Sequence, residues 1–181
     1  MYRSKLMLIA LSTTLGLSVG TVHAESSLRD ALTERLRLSQ LEVNNSSYAG
    51  ALVKKGTVLR LRADGIPANA LRFVQLNTKS PRFHVRDYAR VEVGRDGAIT
   101  AGLGTMSIGQ GTRLVVLDLK ASGDRVRVFA HTVDPVPLSD GKMGYGCTEF
   151  VFTFDPGALD RADIATVAGR IDQVLAVSSN G

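Results

Sequence analysis

The sequence predicts a mainly β fold of the α+β class: a small barrel or sandwich of antiparallel strands, with an N-terminal helix and a C-terminal amphipathic helix. Between residues 57 and 154, short stretches that alternate apolar and polar residues are separated by Gly, Pro, Asn and Asp. Apolar residues at helical spacing occur on both sides of this region. With 181 residues, 44% of them hydrophobic, the chain can bury one core.

Residues 1–24 have the pattern of a secretory signal peptide. Arg3 and Lys5 give a basic start, residues 6–17 are mainly apolar and uncharged, and residues 22–24 offer a cleavage site with small side chains. The apolar segment is too short for a membrane span, and no cysteine follows it for lipid attachment. We therefore expect an exported, non-lipidated protein in the periplasm or outside the cell, without a transmembrane span in the mature chain.

The rest of the chain is predicted to form three parts. These are an N-terminal helix and linker at 25–47, a single β-rich domain with the C-terminal helix at 48–177, and a flexible tail at 178–181. Cys147 is the single cysteine, so no disulfide can form within the chain. The stability of the domain must therefore come from apolar burial and backbone hydrogen bonds.

The first helix is predicted over residues 28–42. Its apolar residues fall on one broad side at 3.6-residue spacing. Ser26 or Ser27 can cap its start, and the polar residues 44–47 end it. The helix can pack on its own domain or dock on another chain, and docking would make this an interaction protein.

Turn signals divide the middle of the chain into strands. The Asp-Gly pairs at 64–65 and 96–97 are typical of tight turns. Alternating apolar residues between such turns indicate strands with one buried face. The predicted strands are 57–62, 70–76, one or two between 81 and 97, two within 112–132, and 147–154.

Residues 112–132 are the clearest hairpin, with a turn at 121–124. In its first strand, Val115, Leu117 and Leu119 are predicted to share one face, because side chains alternate along a strand. Several short strands separated by turns favour a barrel or sandwich.

Six glycines lie between residues 94 and 111. The spacing of a phosphate-binding loop is absent, because Ser107 occupies the position of the third glycine and a strand, not a helix, follows. This segment is therefore predicted to be a mobile loop or a set of bulges, without nucleotide binding.

The C-terminal helix has the most regular apolar spacing in the chain. Asp160 is its predicted N-cap, and Asp163 adds negative charge to the first turn. The apolar face is expected to pack on the preceding sheet. Its residues are Ile164, Val167, Ala168, Ile171, Val174 and Leu175.

Residues 54–95 carry ten Lys or Arg residues and three acidic residues, a local net charge of +7. Such a segment attracts polyanions, which outside the cytoplasm are expected to be envelope polymers or lipid headgroups, not nucleic acid. The alternative is that the arginines only cover the solvent faces of strands. The candidate binding residues are Arg60, Arg62, Arg82 and Arg86.

Cys147, in GCTEFVFTF, has two interpretations. In a strand, Phe150 faces the core and Cys147 lies on the other face with Glu149. At a helix N-terminus, the thiol would have a lowered pKa and would be a nucleophile. The alternation of FVFTF and the turn residues at 155–157 favour the strand, with Cys147 as a small, buried or half-buried residue.

The segments SPRFHV and YGCTEFV resemble circularly permuted papain-like hydrolases and acyltransferases. This resemblance implies a thiol enzyme in which Cys147 is the nucleophile and His84 is the base. His131 is the other possible base. It shares the side of its strand with Arg127 and Phe129, and is predicted to be a surface or rim residue.

A second resemblance covers residues 52–176. KKGTVLRLRADGI, GTRLVVLDLKASGDRVRVFAHT and YGCTEFVFTFDPGALDRADIATVAGRIDQVL together resemble small exported bacterial proteins of unknown activity. In those proteins an SH3-like β module ends with a phenylalanine-rich strand and an amphipathic helix. The resemblance implies a fold and a location, and it supplies no functional residues.

The sequence therefore predicts a non-enzymatic binding or scaffolding protein of the cell envelope. Its expected partner is an anionic polymer or an envelope protein, contacted through the basic segment 54–95. The alternative is the thiol enzyme with Cys147 and His84. One cysteine and two histidines after the signal peptide do not form a spaced ligand set, so neither a metal nor another cofactor is predicted.

Overall fold

The structure of the protein is a computed structural model that describes residues 19–43, 50–54, 56–70, 73–75, 83–85, 88–138, 140–161 and 163–178. Those residues contain two helices and fifteen strands. The elements in chain order are α1 (Val19–Leu36), β1 (Gln40–Val43), β2 (Gly50–Lys54), β3 (Val58–Leu61), β4 (Ile66–Ala70), β5 (Phe73–Gln75), β6 (Phe83–Val85), β7 (Ala89–Val93), β8 (Ile99–Ala101), β9 (Met106–Ile108), β10 (Arg113–Ser122), β11 (Arg125–Thr132), β12 (Val136–Pro137), β13 (Met143–Gly144), β14 (Gly146–Thr153), α2 (Ile164–Asp172) and β15 (Leu175–Val177).

Nine of the described strands form one sheet that curls into a half-barrel, which confirms the mainly β prediction. The main order is β15-β3-β10-β11-β14-β4-β9. Strand β14 also pairs in parallel with β7, and β7 pairs with β8 on its other side. The other described strands form three two-stranded sheets, β1–β2, β5–β6 and β12–β13.

The hairpin of β10 and β11 forms as predicted, and Gly123, with a φ of 61°, begins its two-residue turn. A bulge between Val116 and Asp118 inserts one extra residue into β10. The insertion places Val115 and Leu119 on opposite faces of the sheet. The prediction that they share one face is therefore wrong.

The core lies on one face of the large sheet, against both helices. Phe150 and Phe152 are its largest fully buried side chains, and burial of one such side chain contributes about 1.5–3 kcal/mol. The alternating phenylalanines thus hold the central strand in place. The remaining core includes Leu28, Leu32, Leu36, Leu59, Leu61, Val91, Val93, Leu114, Val116, Leu119, Val126, Val128, Val167, Ala168 and Ile171.

Helix α1 differs from the prediction at both ends. It begins at Val19, so neither Ser26 nor Ser27 caps it. It ends at Leu36, because Arg37 adopts a φ of 42° and the following residues form β1, which pairs with β2. The predicted extension to residue 42 is wrong, since strand pairing across the chain overrides the local apolar spacing.

Helix α2 is capped by Asp163, whose Oδ1 accepts a hydrogen bond of 2.7 Å from the Thr166 N–H. The prediction of Asp160 as the cap is therefore wrong. The helix ends at Asp172, and Leu175 belongs to β15, which pairs with β3. The end of the predicted apolar face is thus part of the sheet.

The glycine-rich segment 94–111 contains the short strands β8 and β9, so the prediction of a loop or bulges is wrong in part. Between these strands the chain passes very close to β4. A Cβ on Gly104 would lie 2.9 Å from both the backbone N and the backbone O of Ala68. Only glycine allows this approach.

The other predicted strands correspond to β3, β5, β6, β7 and β14. Both Asp-Gly turns form, with φ values of 66° at Gly65 and 87° at Gly97. Residues 1–18, 44–49 and 179–181 lie outside the described residues, so the signal peptide, the linker and the flexible tail stay predictions there. In the described part of the chain, no helix is long and apolar enough to cross a membrane.

Candidate functional site

Cys147 is the second residue of β14, which confirms the strand interpretation. This strand is central in the sheet: β11 pairs along one edge, and β4 and β7 share the other. Cys147 has no exposed surface. Because it lies within a strand, it has no helix N-terminus to stabilise a thiolate.

His131 lies directly opposite Cys147 on β11. The same register continues on both sides, because Val115 pairs with His131 and with Val58, while Asn69 pairs with Cys147. None of these residues belongs to the main core cluster, since they lie on the other face of the sheet. We call Val58, Val115, His131, Cys147 and Asn69 the His–Cys row.

The His131 side chain is buried, with 2% of its surface exposed, and its ring stacks on Tyr145 with the centroids 5.3 Å apart. Neither ring nitrogen has a hydrogen-bond partner among the described residues. Burial lowers the pKa of His131 to about 4, although backbone groups of His131 and Thr132 oppose the decrease. The prediction of a surface or rim residue is wrong, because His131 lies between two paired strands and against Tyr145.

The charge state of this row does not suit a thiol nucleophile. Burial raises the pKa of Cys147 to about 12. Burial, followed by the proximity of Cys147 and Asp118, also raises the pKa of Tyr88. At neutral pH the thiol is therefore protonated and the His131 imidazole is uncharged, whereas nucleophilic catalysis requires a thiolate.

His84 belongs to β6, where it pairs with Val74 of β5 in a separate two-stranded sheet. Its side chain lies outside the described residues, as do Arg82 and Arg86. The pairing of Cys147 with His84 and the binding role of these two arginines therefore stay predictions.

Next to the His–Cys row, the same face of the sheet carries compensated charges. Glu149 is 7% exposed and forms an ion pair with Arg127. Lys120 and Arg127 both lie over the Phe129 ring, 5.2 and 5.3 Å from its centroid, and Tyr88 contacts that ring edge to face at 5.1 Å. Because each charge has a partner on the sheet, this region offers little free charge to a ligand.

A second group consists of three arginines, which we call the arginine cluster. Arg60 lies in β3, Arg62 directly follows that strand, and Arg113 is the first residue of β10. Arg60 is directly opposite Arg113. Arg113 donates hydrogen bonds of 2.9 and 2.7 Å to Asp134, whereas the Arg60 Nε contacts the Ser178 hydroxyl at 3.4 Å. Arg60 and Arg62 form no ion pair with any carboxylate that the structure describes. With respect to the described residues, Arg60 and Arg62 therefore keep uncompensated positive charge.

The strand that carries Arg60 is anchored in the core by its buried leucines. Leu59 and Leu61 are 0% and 1% exposed, while Arg60 and Arg62 are exposed on the other side of the strand. Sequence alternation predicts this arrangement, but it does not reveal Arg113. That residue joins the cluster through the pairing of β3 with β10, which no local pattern encodes.

Within the described residues, no group of three or more His, Cys, Asp or Glu side chains could hold a metal ion. No known protein family, curated protein or solved structure matches the chain. What the protein does is therefore inferred from its own geometry and charge.

Proposed function

We propose that this protein is an exported binding protein of the cell envelope, without enzymatic activity, that contacts an anionic polymer through the arginine cluster. The signal peptide, the location in the periplasm or outside the cell, and the SH3-like form of the β domain belong to this proposal. The observation that supports it most is the uncompensated charge of Arg60 and Arg62 beside Arg113.

The pairing of Arg60 with Arg113 is unfavourable unless an anion lies between or above them. Residues directly opposite in an antiparallel pair have Cβ atoms roughly 4.5–5.5 Å apart, and like charges at that spacing repel. Asp134 compensates Arg113 only, through two hydrogen bonds. A polymer with closely spaced anionic groups would compensate the remaining arginines together.

Guanidinium groups suit such a ligand because each presents a planar fork of donors that matches a phosphate or carboxylate. The buried leucines of β3 fix the positions of Arg60 and Arg62 on one side of the strand. A fixed pair of forks favours a repeated anionic polymer over a single small anion, because two neighbouring groups can bind at once.

The thiol enzyme has weaker support. Cys147 is buried in a central strand, and its pKa is raised to about 12. His131, its neighbour, has a pKa lowered to about 4. Both pKa shifts favour the neutral thiol and the neutral imidazole. An activated cysteine nucleophile requires the opposite, a thiolate beside an imidazolium.

The proposal is tested by binding of the purified protein to polyphosphate, with neutral dextran as the uncharged comparison. We expect Arg60→Gln with Arg62→Gln to weaken binding markedly, because Arg113 is then the only arginine left in the cluster. The matched control is Arg90→Gln with Arg125→Gln, which removes two exposed charges that already have carboxylate partners.

The control variant should keep most of its affinity, because its two arginines lie outside the cluster and already have carboxylate partners. Equal loss in the two double variants would indicate that net charge alone attracts polyphosphate, and would contradict a specific cluster. Unchanged binding in the Arg60/Arg62 variant would also contradict it. If the wild-type protein binds no polyphosphate, the anionic-polymer proposal is wrong and an envelope protein becomes the partner to seek.

A further inference from the structure

Strand β8 forms a free edge of the large sheet. It pairs with β7 on one side and with no other strand in the part of the chain that the structure describes. All three of its residues, 99–101, are exposed, and Leu103 just beyond it is 95% exposed. A strand with unpaired backbone groups at a sheet edge is a template for another strand.

The hydrogen bonds between β8 and β7 show which backbone groups of β8 remain available to a further strand. The Ala98 carbonyl accepts a bond of 2.8 Å and the Gly102 N–H donates one of 2.9 Å, both to the chain of β7 and its turn. Backbone direction alternates along an antiparallel strand, so Thr100 also faces β7. The N–H and C=O groups of Ile99 and Ala101 therefore point away, toward the free edge.

This edge strand is short, with three residues, but it carries none of the charged residues that usually block pairing. Residues 97–112 contain no charged residue, although 22% of the chain is charged. Ile99 and Ala101 pair with Val93 and Val91, which are buried in the core, yet Ile99 itself is 39% exposed. The apolar core face of the sheet thus continues to an edge that carries no lysine, proline or bulge to block a partner strand.

We propose that β8 pairs with β8 of a second copy of this chain, so that two sheets join across a two-fold axis. An antiparallel pairing centred on Thr100 places Ile99 of each copy opposite Ala101 of the other. The free N–H and C=O groups of both residues then find partners in both copies. This inference does not depend on the proposed function, since the arginine cluster includes no residue of β8.

A second copy fits this edge better than a partner selected by charge. Two uncharged edges bring no like charges together on pairing, although the chain as a whole has a formal net charge of +5. The apolar side chains of Ile99 and Ala101 would meet each other on the core side of the joined sheet. A partner recognised through its charge would find no complementary group in residues 97–112.

The oligomeric state gives the first test. In sedimentation velocity over a range of concentrations, the wild-type protein should reach twice the monomer mass, whereas Ile99→Lys should stay monomeric because it places a charge on the pairing edge. The matched control is Val177→Lys on β15, at the other end of the sheet, where Val177 is 44% exposed. That variant should dimerise like the wild type.

A disulfide test fixes the register. Thr100→Cys should form a covalent dimer under mild oxidation, because the two Thr100 positions face each other in a close, non-hydrogen-bonded pair about 4.5 Å apart at Cα. Ala101→Cys is the control, since Ile99 of the second copy lies opposite it, and Cys147 is buried and should not react. A monomeric wild-type protein, a dimer lost only in Val177→Lys, or faster cross-linking of Ala101→Cys would overturn the proposal.

Discussion

His131 and Cys147 lie directly opposite each other on neighbouring antiparallel strands, and the sheet buries both side chains. A histidine beside a cysteine suggests a catalytic pair, but burial has the opposite effect on each group. The pKa of Cys147 rises to about 12 and that of His131 falls to about 4, because the charged form of each is disfavoured without solvent. The pair is therefore neutral at physiological pH and belongs to the packing of the sheet.

The first prediction concerns the stability of the fold in acid. The pKa of His131 is about 4 in the folded protein and 6.5 in its ordinary range, so the unfolded chain binds the proton more tightly. Stability is therefore fully present above pH 6.5 and decreases as the pH falls toward 4. We expect this residue to lower the free energy of unfolding by about 2 kcal/mol between pH 7 and pH 5.

Urea unfolding at the two pH values measures this change. His131→Leu is the comparison, because it removes the titrating group and keeps an apolar side chain in the buried position. The loss in the wild-type protein should exceed the loss in the variant by about the predicted amount. An equal pH dependence in both proteins would show that His131 does not titrate from a buried, neutral state.

The second prediction concerns the reactivity of Cys147. Since the thiol is buried and its pKa is about 12, iodoacetamide should label it far more slowly in the folded protein than in the unfolded chain from pH 5 to pH 9. Mass spectrometry of the alkylated protein measures the two rates. Rapid labelling of the folded protein at low pH would indicate a thiolate. That result would favour the thiol enzyme with Cys147 and His84 over the binding protein.

The third prediction separates two neighbouring aspartates at the start of α2. Asp163→Ala should lower the free energy of unfolding, because it removes the side chain that accepts the Thr166 N–H and caps the helix. That same hydrogen bond holds the pKa of Asp163 below its ordinary value. Asp160→Ala, at an exposed position before the helix, should change stability by less than about 0.5 kcal/mol. The reverse order, measured by denaturant unfolding, would contradict the observed cap.

Local patterns predicted the elements that depend on neighbours in sequence. The hairpin of β10 and β11, the Asp-Gly turns and the phenylalanine-rich strand β14 each combine alternation with a turn signal. The amphipathic spacing of α2 likewise identified Val167, Ala168 and Ile171 as its buried face. These features need no knowledge of the rest of the fold.

Features that depend on pairing between distant segments were missed. The bulge in β10 reversed the faces of Val115 and Leu119, and no residue type there marks a bulge. The pairing of β11 with β14 buries His131. The alternation within β11 alone places His131 on the same side as Arg127, and for that reason a surface position was predicted. Arg113 joined Arg60 for the same reason, since β3 and β10 are far apart in sequence.

The most direct test of the arginine cluster is the salt dependence of polyphosphate binding. The logarithm of the association constant should fall linearly with the logarithm of salt concentration, with a slope that reflects the number of anionic groups contacted. We expect Arg60→Gln with Arg62→Gln to reduce the magnitude of that slope by roughly one to two, since each lost contact removes somewhat less than one released ion. The Arg90/Arg125 double variant should keep the wild-type slope. Equal slopes in all three proteins would contradict the claim that the cluster binds the polymer.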